Sequence, residues 1–157
     1  MELQGTANGA GCRFAIVVSR FNHEVTDGLL RGARGALADA GVADDDITTV
    51  WVPGAFELPV TARKQAESKR FDAIITLGCL IKGETMHFEY IAGASTQGIM
   101  DVATTTGVPV LFGVLTAMTD AQALERASDG EGNKGREVAV AAVEMATLLR
   151  RLWQAAL

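Results

Sequence analysis

Cysteine and histidine are scarce in this chain, two of each among 157 residues. Cys12, His23, Cys79 and His87 fall into neither a CxxC nor an HxxxH spacing, so no zinc motif is present and no metal is expected. A disulfide or a nucleophilic role is also disfavoured for Cys79. It sits in an apolar strand pattern, where a buried, inert thiol is the ordinary outcome. Basic runs are missing too. Fourteen Lys and Arg face nineteen Asp and Glu, giving a net charge of −5 and a pI near 5.0, with no cationic stripe that would suit nucleic acid. No apolar stretch approaches the roughly 20 residues that cross a bilayer, so no membrane partner is expected. Residues 1–11 lack the basic start and apolar middle of a signal peptide, and the expectation is a cytoplasmic protein. Internal repeats, linkers and low-complexity tracts are absent as well.

What remains is an ordinary globular composition, 48% hydrophobic and 21% charged, with a mean hydropathy of +0.19. Its length suits one domain with a sizeable core. The apolar share is nevertheless high for a lone domain. Because large apolar patches are seldom left in water, burial between subunits, and hence a homo-oligomer, is expected.

Strand and helix patterns alternate along the chain. Residues 14–18 form a β-rich apolar run without alternation, suited to a strand covered on both faces. Val25, Leu29, Ala33, Leu37 and Ala40 then recur at helical spacing before Gly41. Residues 47–52 read as a strand, 53–56 as a turn and 57–68 as a helix. Residues 73–80 form the next strand, 81–84 its loop and 85–106 a long helix. Residues 108–115 are the fourth strand. Thr119 and Gln122 have capping-box spacing, so a short helix should begin at Asp120. A Gly-rich loop precedes a last helix with a stripe of Val138, Ala141, Met145, Leu148 and Leu152. Right-handed crossovers then give a three-layer α/β/α sandwich around a four-stranded parallel sheet, flavodoxin-like, at residues 13–157. Residues 1–12 are an N-terminal arm outside this core, either flexible or adding a strand to a neighbouring subunit.

Ligands of open parallel sheets bind beyond the carboxyl ends of the strands. That rule selects the loops around residues 19–23, 52–57, 80–87 and 115–118. The third is the most informative. Gly83 permits a tight turn and Thr85 opens a helix, whose first amides lack internal partners and suit a phosphate. His87 lies in that first turn, and an imidazole moves protons in either direction near neutral pH. A surface residue on an ordinary helix start is the competing reading. Glu57 is either a dipole-favoured carboxylate or an acceptor for polyol hydroxyls. Phe21 and Phe112 are either packing residues or platforms for a flat heterocycle. Arg126 and Lys134 are either solvated cations or anion ligands. The GxxxxGK[ST] and GxGxxG patterns of nucleotide-binding loops are absent.

Five segments in order carry a resemblance. Residues 16–22 (IVVSRFN), 52–59 (VPGAFELP), 77–88 (LGCLIKGETMHF), 113–116 (GVLT) and 132–135 (GNKG) make nearly the whole chain similar to the lumazine synthase family. The resemblance implies condensation of 5-amino-6-(D-ribitylamino)uracil with 3,4-dihydroxy-2-butanone 4-phosphate in riboflavin biosynthesis, without a cofactor. It implies that Phe21 stacks on the pyrimidine and that Ala55, Phe56 and Glu57 hold the ring edge and ribityl chain. Leu80, Ile81 and Lys82 would line the pocket, largely through their backbone groups. Glu84, Thr85 and Arg126 would bind phosphate, with Glu84 acting only through its backbone because its charge opposes an anion. His87 would shuttle protons, while Phe112 and Lys134 would reach in from an adjoining subunit. It further implies pentamers, and the short loop at residues 128–133 resembles that of relatives closing shells of sixty subunits. Riboflavin synthase is a candidate partner. The rival readings are an archaeal-type riboflavin synthase, which would need no phosphate site, a non-catalytic flavin-binding or shell-forming relative, and a generic nucleotide-binding module.

Overall fold

The structure, a computed structural model, describes residues 1–156. Four strands form one parallel sheet: β1 (Phe14–Ser19), β2 (Ile47–Val52), β3 (Ala73–Ile81) and β4 (Val110–Ala117), in the order β2-β1-β3-β4. The central strands β1 and β3 are buried on both faces along nearly their whole length, which is why their sequences run apolar without alternation. The expected three-layer sandwich is therefore the observed one.

Helices α1 (His23–Asp39), α4 (Asp120–Ala127) and α5 (Lys134–Ala155) cover one face. Leu29, Ala33 and Leu37 of α1 meet Phe14, Ile16 and Val18 of β1 and Leu77 and Cys79 of β3 there. Helices α2 (Leu58–Glu67) and α3 (His87–Thr106) cover the other face. Leu58, Ala62, Ile99 and Val102 pack there on Ala15, Val17, Ile74 and Val114.

Element boundaries lie two residues later than expected at two places. Helix α3 opens at His87 rather than residue 85, because residues 83–86 turn instead, and the Thr85 hydroxyl accepts the His87 N–H at 3.5 Å. Strand β4 spans Val110–Ala117 rather than 108–115. Pro109 contributes its carbonyl to Ile74 N–H at 2.8 Å but has no N–H to give, whereas the far end continues until Ala117 receives Lys82 N–H at 2.9 Å. The cap of α4 forms as expected. Thr119 Oγ1 accepts Gln122 N–H at 3.2 Å, and Gln122 Oε1 reaches back to Met118 N–H at 2.9 Å.

The N-terminal arm has no regular structure and lies along its own chain's last helix. Thr6 N–H donates to Thr147 Oγ1 at 2.8 Å, Gly9 N–H to the Ala40 carbonyl at 2.8 Å, and Arg150 binds the Gly11 carbonyl at 3.0 Å.

The α4–α5 connection is locked to α1 by one buried amide. Asn133 Nδ2 lies 3.1, 3.0 and 3.1 Å from the carbonyls of Gly28, Ala127 and Ser128, while Oδ1 caps α5 at Arg136 N–H, 3.1 Å away. This approach needs glycine. A β-carbon at Gly135 would collide with the Leu29 carbonyl, and one at Gly32 with the Asn133 side chain. Gly35 on the same helix has open space around it. Gly135→Ala should therefore destabilise the fold by about 1–3 kcal/mol, while Gly35→Ala should be neutral or stabilise by up to about 1 kcal/mol. Denaturant midpoints of the two variants check this, and equal midpoints would refute the close-packing account.

Candidate active site

The order β2-β1-β3-β4 places a switch point between β1 and β3: α1 leaves β1 for one face and α3 leaves β3 for the other. The carboxyl ends diverge there and open a crevice. A cavity of about 540 Å³ occupies it. Its wall comes from Phe21 after β1, residues 53–57 after β2, Leu80, Ile81, Gly83 and Thr85 at the end of β3, and His87, Phe88 and Ile91 of α3.

Each part has a local cause. Phe21 is 64% exposed, a large apolar ring held in solvent at the lip. Its N–H donates to the Pro53 carbonyl at 3.1 Å, and Arg20 N–H donates to the Val52 carbonyl at 2.8 Å, so the β1 loop is stitched to the end of β2. Residues Ala55–Glu57 form one 3-10 turn that leads straight into α2, with Pro59 in the first turn, where its missing N–H costs nothing. The Glu57 carboxylate folds back over Gly54, close enough that a β-carbon there would lie 3.3 Å from Oε2. His87 starts α3, so its backbone N–H has no partner within the helix at the electropositive helix end and is met only by the Thr85 hydroxyl, at 3.5 Å. One cavity thus joins an aromatic ring, a carboxylate, polar backbone at a helix start and an imidazole. It can hold a flat heterocycle beside an anion within reach of a proton-transfer group.

Phe21, Ala55, Phe56, Glu57, Leu80, Ile81, Thr85 and His87, all expected from the sequence, line this cavity together. Five others do not. Lys82 turns to Glu89, 3.4 Å away on α3, and Glu84 is exposed outside the lining. Arg126 lies on α4, bonded to the Gln122 carbonyl at 3.0 Å. Lys134 is paired with Glu137 at 2.7 Å at the start of α5. Phe112 is 41% exposed on the edge strand β4. Pro53, Phe88 and Ile91 line the cavity without having been singled out. Phe88 and Ile91 are spaced one turn apart and also pack on the core, so in sequence they read as an ordinary helix stripe.

The thiols take no part. Cys79 faces the α1 side of the sheet, and burial, with Asp120 adding a smaller push, raises its pKa to about 11. Burial likewise raises that of Cys12.

The architecture defines a parallel α/β domain built to bind small molecules at its switch point. The model of the 6,7-dimethyl-8-ribityllumazine synthase family matches residues 11–150, and the chain belongs to that family. Membership makes it a transferase of riboflavin biosynthesis.

At pH 8 a Cys79 pKa of about 11 leaves about one thiolate in a thousand. Neither cysteine of the folded protein should react with a thiol reagent within minutes, and both should react after denaturation. Since the Cys79 pKa in the fold lies above 9.0, its contribution to stability is complete below pH 9 and is lost as pH rises through about 11. Rapid labelling of the native protein would contradict this placement.

Proposed function

We propose that this protein condenses 5-amino-6-(D-ribitylamino)uracil with 3,4-dihydroxy-2-butanone 4-phosphate, giving 6,7-dimethyl-8-ribityllumazine, one phosphate and two waters. The observation that carries this reading is the meeting of Phe21, Glu57, Thr85 and His87 on one cavity, in a chain of this family. The pyrimidine stacks on Phe21, the backbone of Ala55 and Phe56 holds its edge, and Glu57 accepts hydrogen bonds from the ribityl hydroxyls. The phosphate rests on the amides at residues 84 and 85 and the first turn of α3.

In sequence, the uracil amine attacks the ketone and one water leaves, forming an imine. Removal of the adjacent carbon-bound proton expels phosphate. The resulting enol becomes a ketone, the ribitylamino nitrogen attacks it, and a second water leaves as the ring closes. His87 moves the protons, being the ionisable ring beside the departing anion. Holding both reactants in one geometry supplies much of the rate, since effective molarities reach about 10⁵ M or more. No resident cofactor takes part.

The protein works as a homo-oligomer, a pentamer that closes into a shell of sixty subunits. Tyr90 is 72% exposed on α3, and Met100, Met118 and Phe112 are exposed on and around α3 and β4, an apolar expanse that favours burial against another copy. In that assembly Phe112 and Lys134 enter the cavity of an adjoining copy, and Arg126 meets the phosphate. Riboflavin synthase, which consumes the product, is the proposed partner, and the cytoplasm the proposed location. Among the described residues no helix is long and apolar enough to cross a membrane.

His87→Ala should lower turnover by about 10²-fold, the lower end of what one general acid–base group contributes, with the assembly unchanged. Lumazine fluorescence measures the first and analytical ultracentrifugation the second. Full turnover in that variant would remove His87 from the mechanism. Product from lumazine alone, with none from the two proposed substrates, would point to a riboflavin synthase instead.

A further inference from the structure

Strand β3 outlasts its partner on one side. Its pairing with β1 ends at Val18↔Leu77, whereas its pairing with β4 continues to Ile81↔Ala117. The last turn of β3, which carries cavity residues Leu80 and Ile81, therefore has a ladder on one edge only. On the other edge the Cys79 carbonyl is met by a side chain instead of a strand: Asn22 Nδ2 donates to it at 2.9 Å.

Asn22 reaches that carbonyl from an uncommon backbone position. Its φ of 59° and ψ of 49° lie in the left-handed region, shared among the described non-glycine residues only by Lys69. Glycine adopts this conformation with the least strain, and asparagine is the next easiest choice. Glycine would supply the turn but not the amide. The Asn22 carbonyl also starts α1, accepting Val25 N–H at 3.0 Å and Thr26 N–H at 3.1 Å. The neighbouring Phe21 is tied by its own N–H to Pro53. Phe21 is thus fixed to the end of β2 on one side and, through Asn22, to the end of β3 on the other.

We propose that Asn22 is a positioning residue for the condensation. It touches no reacting atom. It closes the unpaired edge of β3 and sets the Phe21 ring and the Leu80–Ile81 wall at one separation, the slot that receives the heterocycle. This rests on the proposed reaction at the same cavity. The slot is present before the ligand arrives, so loss of the clamp is read mainly in KM for the ribitylaminouracil, while proton transfer at His87 on α3 is left in place.

The test uses the intact assembled protein, with Asn22→Gly keeping the turn and removing only the amide, and Asn22→Asp keeping the shape but removing the donor. Asn22→Gly should raise KM for the ribitylaminouracil about tenfold, the loss of one well-placed hydrogen bond, with kcat within about twofold. In a Phe21→Ala background the same substitution should change KM less than about twofold, because the ring it positions is gone. Hydrogen exchange should quicken in segments 19–25 and 79–83 and nowhere else. Asn22→Asp should match or exceed these effects. Unchanged KM and exchange in Asn22→Gly, or an equal loss with and without Phe21, would overturn the proposal. Absence of lumazine formation by the unsubstituted protein would instead overturn the reaction assigned above, and the exchange experiment would still decide whether the clamp exists.

Discussion

Two fully buried parallel strands side by side, with crossovers leaving to opposite faces, impose the geometry on which the site depends. Backbone groups inside the β1–β3 pair are satisfied by the ladder, but the carboxyl ends must part because α1 and α3 depart in opposite directions. The crevice is a consequence of topology rather than of any one side chain. What the side chains add is its width and its chemistry: Phe21 at the lip, Glu57 on the β2 side, and the helix start at His87 on the β3 side.

The second constraint is how closely the layers approach. The glycines of α1 and α5 let backbone meet backbone on one face, and Asn133 fills the remaining junction with all its hydrogen bonds made. A buried amide with no partner would cost several kcal/mol, about what a marginally stable domain can lose. Satisfied at four points, it fixes the stretch between Arg126 and Lys134 rigidly on α1. The opposite face is packed more sparingly. There β4 is an open edge and α3 shows Tyr90 and Met100 to solvent, which a solitary soluble domain rarely sustains over a wide area.

Much of the fold was legible because its signals are local. The unbroken apolar runs at 14–18 and 73–80 announced strands covered on both faces, and the helical spacing of Val25, Leu29, Ala33 and Leu37 announced α1. The shifts at α3 and β4 came from turn chemistry and from a proline without an N–H, details that periodicity does not encode. The loops of the candidate site were legible too, since the carboxyl-end rule acts on strand order alone. Lys82 was not. Its pairing with Glu89 depends on the path of a loop across the first turns of a helix.

The sequence by itself determined the fold class, the family and the segments that supply the chemistry, because periodicity, turn residues and motif spacing are properties of neighbouring residues. Only the tertiary structure decided which of those segments share a wall. It put Phe88 and Ile91 beside His87 and left Phe112, Arg126 and Lys134 outside the cavity. It also gave Asn22 its left-handed backbone and its bond to the end of β3. The reason is physical. The contact joins residues 57 positions apart, and its partner carbonyl is free only because β1 stops pairing before β3 does.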